Sequence, residues 1–263
     1  YKSGLKTGDL IIAVNKKSTM NMELQEVVSE IKKKENKKVV LTIYRDKKSK
    51  DYTVKKSSVQ LDTVSYKMKE KKIGYIAVSQ FLENTGDQFD KAVTALEKKG
   101  MKSLIIDLRD NGGGLLNTCT QMVSRVIDKD KLIVYTKDKE GNKEEFKSDS
   151  GKTLDIPIII LVNGNTASAS EIMTGCLKDY GKATVVGTTT YGKGIVQNIM
   201  PLTDGSAIKF TIAKYYTPNG TDIHKKGIKP DVKVKMSDAQ WKKAQTDEKA
   251  DKQLKKAIEL LEK

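Results

Sequence analysis

The run Ile156-Pro157-Ile158-Ile159-Ile160-Leu161-Val162 is the strongest constraint in this sequence of 263 residues. Apolar side chains fill nearly every position, so a strand built here presents hydrophobic groups on both faces of its sheet. Both faces must then be covered, and flanking a largely parallel sheet with helices does so. The run is far shorter than the ~18 apolar residues that a membrane helix needs, and no other stretch is longer.

The neighbouring sequence alternates as such a sheet requires. Strands are expected at 73–78, 104–108 and 132–135, and again at 184–186, 195–200 and 208–215. A helix over 87–99 puts Phe89, Ala92, Val93 and Leu96 on one face, and a helix over 115–127 does the same with Cys119, Met122, Val123 and Val126. A third, over 167–180, presents Ile172 and Cys176. From Ser237 a charged amphipathic helix turns Leu254, Ile258 and Leu261 inward, with Glu259 and Lys263 spaced as an i,i+4 pair. The first 58 residues have another rhythm: a turn over 4–9, strands at 10–14, 39–44 and 51–54, and a helix from Asn21 carrying Leu24, Val27, Val28 and Ile31 on one side. So small a module buries little area alone and is expected to be incomplete or to depend on a neighbour. The chain therefore divides into 1–58 and 59–263, both α/β, the second with a mixed sheet.

Lys and Arg number 49 against 34 Asp and Glu, a formal net charge of +15. Such an excess invites a nucleic-acid or anionic-membrane reading. Its make-up argues otherwise, because only Arg45, Arg109 and Arg125 are arginines and aromatic residues are 6% of the chain. Specific phosphate and base recognition relies on the bidentate Arg fork and on stacking rings. The excess is densest over 1–59, with 15 basic and 7 acidic residues, and reads as solvated lysine-rich surface. Cys119 and Cys176 lack the spacing and His neighbours of a zinc site, so no metal or cofactor is expected. They are expected as buried thiols, with a disulfide between them left open.

Three segments combine special backbone residues with reactive side chains. Asp107-Leu108-Arg109-Asp110-Asn111-Gly112-Gly113-Gly114 lies where a strand ends and a helix begins, a place where N–H groups can meet an anion or oxyanion. Asn163-Gly164-Asn165-Thr166-Ala167-Ser168-Ala169-Ser170-Glu171 occupies a second such junction and can equally be an ordinary helix cap. Thr190-Tyr191-Gly192-Lys193-Gly194-Ile195-Val196-Gln197 leads into a strand and lacks the phosphate-loop frame. Lys193 and Gln197 share a strand face, but lie ~13 Å apart along an ideal strand, so a bulge or turn at Gly194 is needed to join them. The single histidine, His224, falls in a lysine-rich loop and is expected in solvent. A serine nucleophile would then need another base, and a lysine serves if desolvation yields a neutral amine.

In this order the three segments resemble those of the C-terminal processing (tail-specific) peptidases, serine proteases with a Ser–Lys dyad. Further matches are Ser3–Ile11 with Val14-Asn15 and Val40–Arg45, which resemble the family's PDZ domain, and Tyr216–Gly220 with Gly227–Asp231. The resemblance implies a crotonase-like β/α protease core with a mixed sheet, preceded by a truncated PDZ-like module. It implies Ser168 as nucleophile, Lys193 as general base and Gln197 as holder of the lysine amine. It implies an oxyanion hole from the Ala169 N–H and an N–H of Gly113 or Gly114. Ser170 is the competing nucleophile, two residues on. Thr166 replaces the first serine of the usual segment, and Gly112 stands where Pro or Ser is frequent; neither change removes a catalytic atom.

The implied activity is cleavage of proteins near their C-termini, with protein or peptide termini as partners and no nucleic acid. The implied location is the bacterial cell envelope or the exterior, with any membrane anchor outside this chain. Because the family's PDZ domain carries its carboxylate-binding loop ahead of Tyr1, the sequence reads as part of a longer protein, and weak activity on folded substrates is expected of it. The competing reading is a non-catalytic binding or adaptor module on the same scaffold.

Overall fold

The computed structural model of the protein describes residues 3–33, 37–56, 61–149 and 153–262. The chain forms two compact units, residues 1–60 and 61–263. In the first, β1 (Leu10–Val14), β2 (Lys17–Ser18), α1 (Leu24–Lys32), β3 (Lys38–Arg45) and β4 (Lys48–Lys55) build an antiparallel sheet of order β2-β1-β3-β4. Asp46 and Lys47, with φ of 51° and 59°, form the two-residue turn between β3 and β4, the backbone sense that matches strand twist. Period-2 alternation buries Val39, Leu41 and Ile43 with Val14, and Val27 and Ile31 of α1 pack on them. Leu24 departs from expectation at 74% exposed, because this four-residue core does not extend beneath the first turn of α1.

The second unit begins with β5 (Val64–Met68), β6 (Ile73–Val78), α2 (Thr85–Lys98), β7 (Ser103–Asp107) and α3 (Leu116–Ser124). It continues with β8 (Leu132–Asp138), β9 (Lys143–Lys147), β10 (Ile158–Val162), α4 (Ala169–Asp179) and β11 (Thr184–Gly187). Then follow β12 (Ile195–Pro201), β13 (Ala207–Tyr216), β14 (Val232–Lys233), α5 (Asp238–Ala244) and α6 (Lys252–Leu261). The main sheet has the order β14-β11-β10-β7-β6-β5 and is parallel except for β5. β8, β12 and β13 leave it for a separate antiparallel sheet, β12-β13-β8-β9.

The double-sided strand behaves as its composition requires. Ile158, Ile160 and Val162 join Leu104, Ile106 and Leu108 beneath α2, α3 and α4, while Ile159 and Leu161 join Ile105 beneath α6. Each such fully buried side chain contributes roughly 1.5–3 kcal/mol. Leu254, Ile258 and Leu261 do face inward. The C-terminal stretch is two helices, not one: α5 ends at Ala244, and Asp251 starts α6 by accepting the Leu254 N–H at 2.9 Å. Lys263, the expected i,i+4 partner of Glu259, lies outside the described residues; among those described, Lys256 pairs with Glu259. Cys119 and Cys176 are free and buried, and burial pushes the Cys119 thiol up to about 12. Among the described residues no helix is long and apolar enough to cross a membrane.

Candidate active site

β7 and β10 are adjacent and parallel, so the loops leaving them emerge side by side at one sheet edge. That edge, outside the carboxyl ends of the strands, is where open α/β sheets carry ligands and chemistry. Asn111 knits the two loops together. Its side-chain amide donates to Val78 O at 2.8 Å, and its carbonyl accepts from the Ala167 N–H and the Ser170 hydroxyl, both at 3.0 Å. Thr166 adds a hydroxyl bond to Leu108 O at 2.8 Å. Ser170 is thus buried and engaged inside α4, whereas Ser168 sits half-buried one residue ahead of the helix.

Ser168 has φ 60° and ψ −120°. A non-glycine residue held in so sparse a region costs about 1–3 kcal/mol, and such positions cluster at functional sites. What holds it is Glu171, wholly buried in the first turn of α4. One oxygen, Oε2, accepts the Ser168 N–H and the Lys193 N–H, each at 2.8 Å. The other, Oε1, accepts the Gly192 N–H and the Thr190 hydroxyl, each at 2.6 Å. Four donors satisfy a carboxylate that burial would otherwise penalise heavily. Through one side chain the backbones of Ser168 and Lys193 become neighbours. The Ser-x-x-Glu spacing is the sequence mark of a capping box; reading the segment only for its serines misses the second half of Glu171's bonding, which reaches across 22 positions to Lys193.

Lys193 itself is exposed, as is Gln197. Neither side chain is hydrogen-bonded to the other or to the Ser168 hydroxyl among the described residues. The bulge needed to change the facing of this segment falls between Val196 and Gln197, not at Gly194. Gly194 serves another end: a Cβ there would lie 2.5 Å from the His224 nitrogen. Lys193 lies two residues ahead of β12 and is exposed, so the expected desolvation of the lysine is not built by the protein alone.

The glycine-rich loop is equally specific. Gly113, at φ 95°, lies so close to the Ser168 loop that an added Cβ would meet the Ser168 Cβ at 2.8 Å and the Ala169 nitrogen at 2.9 Å. Its N–H donates to Asn111 Oδ1 at 2.9 Å and is already engaged. Among the described residues the Gly114 and Ala169 N–H groups carry no partner, Ala169 being the first residue of α4. His224 corrects an expectation: it is half-buried, and its Nδ1 is buried without a hydrogen-bond partner. The lysine-rich loop around it packs on the Lys193 segment, Lys225 N–H donating to Gly192 O at 2.8 Å.

Arg109 and Asp107 of the first motif bond to each other, and Arg109 also to Asp251, not to Ser168. Arg109 is buried, bonded through Nε to Asp107 Oδ1 at 2.9 Å and through a terminal nitrogen to Asp251 Oδ2 at 2.8 Å. Asp110, at φ 57°, turns outward and accepts the side-chain amides of Asn163 and Asn165 at 2.7 and 2.8 Å. No group of three His, Cys, Asp or Glu side chains able to hold a metal ion occurs among the described residues.

Known proteins are similar to this chain in sequence and fold. Residues 1–45 match the PDZ domain model. The Bacillus subtilis (strain 168) carboxy-terminal processing protease CtpA is 41% identical over 238 residues, covering 90% of this chain and 51% of that protein. A probable CtpA-like serine protease of Staphylococcus aureus (strain N315) is 42% identical over 235 residues, 89% of this chain and 47% of that protein. The chain thus spans about half the length of the curated relatives it matches. Among solved structures, a photosystem II D1 C-terminal processing protease aligns with a TM-score of 0.62 at 29% identity, covering 89% of this chain and 64% of that one. The model of peptidase family S41 matches residues 72–234, a span that takes in both sheet-edge loops and the Lys193 segment, and the chain belongs to that family.

Proposed function

We propose that this chain carries the catalytic part of a serine endopeptidase that cleaves proteins near their C-termini, with Ser168 as nucleophile and Lys193 as general base. The observation that carries the reading is the Glu171 carboxylate, one oxygen of which binds the backbone N–H of both residues. A carboxylate placed so registers two loops distant in sequence, and with Ser170 engaged inside α4, Ser168 is the serine of this segment left to react. Unit 1 is read as the PDZ module and unit 2 as the peptidase core with its C-terminal helices.

The chemistry follows from the parts. Ser168 Oγ attacks the scissile carbonyl carbon while its proton passes to the neutral Lys193 amine. The carbonyl oxygen becomes an oxyanion and takes the N–H groups of Ala169 and Gly114, aided by the positive end of α4. Collapse breaks the C–N bond, and the lysine ammonium returns the proton to the leaving amine. Water then attacks the acyl-serine ester, giving its proton to Lys193; the bond from the acyl carbon to Ser168 Oγ breaks, Oγ takes the proton back from the lysine ammonium, and the acid product departs. The family resemblance assigns Gln197 to hold the amine, a bond that would form once substrate is bound. Because Lys193 is exposed, a bound polypeptide supplies the cover that excludes water from the amine. The same reading places the protein outside the cytoplasm, in the cell envelope or secreted, as the family resemblance implies.

Hydrolysis of an unstructured protein with varied C-terminal residues tests this. Wild type is expected to cleave and to be labelled by a fluorophosphonate, and Ser168→Ala and Lys193→Ala to lose at least ~10³-fold in rate. Labelling that survives Ser168→Ala removes the nucleophile assignment, and a binding module with no turnover takes its place if wild type neither cleaves nor labels.

A further inference from the structure

The peptidase-family match ends at residue 234, yet side chains beyond it reach the glycine-rich loop of the site. Trp241 of α5 donates its indole N–H to Asp110 Oδ2 at 2.8 Å. The other oxygen of Asp110 accepts from Asn163 and Asn165, which lie in the loop that ends at Ser168. Asp110 itself is three residues before Gly113, whose backbone lies against Ser168. A single carboxylate thus ties the glycine loop, the nucleophile loop and α5 to one point.

A second tie runs alongside. Asp251, the capping residue of α6, and Gln253 bind Arg109 at 3.0 and 3.1 Å, and the Trp241 ring lies 4.4 Å from the Arg109 guanidinium carbon. Gln253 also donates to Val234 O at 2.8 Å, anchoring the segment that leads into α5. Burial works against ionisation of Asp110, but the bonds from Asn165, Asn163 and Trp241 outweigh it and hold the carboxyl below its usual range. The ionised form, which accepts from three donors at once, is the one this geometry requires.

We infer that Trp241, with Asp251 behind it, is a positioning residue of the active site: its N–H bond to Asp110 fixes the spacing between the oxyanion loop and the Ser168 loop. The inference rests on Ser168 being the nucleophile. It follows from geometry, since a loop displaced by 1 Å at an acyl-transfer site can cost ~10²-fold in rate, and Asp110 at positive φ has little intrinsic preference for the conformation it holds.

Trp241→Phe in the full chain tests it, because an aromatic ring facing Arg109 is retained while the N–H donor is lost with the pyrrole half of the indole. Lys242→Ala, an exposed change on the same helix, is the control. The variant is expected to lose about tenfold in kcat and in fluorophosphonate acylation rate, with KM and melting temperature unchanged. Amide exchange over 110–114 and 163–168 is expected to quicken while that of the sheet stays as in wild type. The inference is overturned if kcat, acylation and loop exchange equal those of wild type. It is also overturned if kcat falls only together with melting temperature and exchange rises throughout the sheet, since α5 is then packing alone. A wild type that neither cleaves nor labels removes the Ser168 reading instead, and the loop exchange still decides whether Trp241 sets the two loops.

Discussion

Each unit of this protein relies on an arginine bound to aspartate, and the two settings differ. In unit 1 Arg45 meets Asp9 at 2.5 Å and also donates to Gly4 O, joining the end of β3 to the turn before β1. The Arg45 side chain is 24% exposed and the Asp9 carboxylate 7%, beside a core of only Val14, Val39, Leu41 and Ile43. In unit 2 Arg109 is buried among Asp107, Asp251 and Gln253 beneath the sheet-edge loops. The arginine of the first pair keeps contact with water and can lose its partner at less cost. The second cannot, because the charges left behind have no solvent to turn to. The difference separates a bond that trims a surface from one that holds an active site in shape.

Breaking the buried side of the comparison has the largest expected effect. Arg109→Leu leaves Asp107 and Asp251 buried and without their cation, and is expected to destabilise unit 2 by ~3–5 kcal/mol, read from the urea midpoint of the unit 2 transition. A value under ~1 kcal/mol would show that water replaces the guanidinium and would erase the contrast with Arg45. Next comes Glu171→Gln. The amide cannot accept at both positions, so one pair of donors loses its acceptor, and kcat is expected to fall about 10–100-fold with the sheet intact by circular dichroism. An unchanged kcat would mean that Ser168 and Lys193 are held by the remaining loop bonds alone.

The smallest effect belongs to Asp9. Its bonds from Arg45 and the Lys6 N–H lower its pKa from 3.8 to about 2. A carboxylate depressed in the folded state contributes stability that is present above the unfolded value and lost as pH falls through the folded one. The unit 1 melting temperature should therefore hold steady down to about pH 4 and decline between about 4 and 2. In Asp9→Asn that acid decline should shrink, and an identical decline in both proteins would assign it to other carboxylates.

The sequence shows some of this plainly and hides the rest for physical reasons. An apolar run such as 156–162 announces a strand covered on both faces, and Ile158–Val162 is one. Periodicity tells which way a side chain faces, not which sheet a strand joins. Hence β8, β12 and β13 were legible as strands while their separate sheet was not. β5 and β9 are polar edge strands with little apolar signal of their own. Ser168 and Lys193 stood out because glycines and motif order surround them. The partners that place them, Glu171, Asn111 and Asp110, act by side-chain bonds to distant backbone or amide groups, and such bonds leave no periodic trace. The break between α5 and α6 was hidden likewise, since the charges that make the stretch look solvated include Asp251, which is buried on Arg109.

The parallel register of β7 and β10 has one more consequence. Ile160 opposes Ile106, and Leu161 opposes Asp107, so the distance from Gly113 to Ser168 is measured out by two strands sliding on a common ruler. A shift by one position would move one loop past the other by ~3.3 Å and turn every side chain of the strand to the opposite face. Changes at Ile106 or Ile160, deep in the core, are in that sense changes of alignment at the sheet edge. Volume lost there would be felt by the reaction before it was felt by the fold.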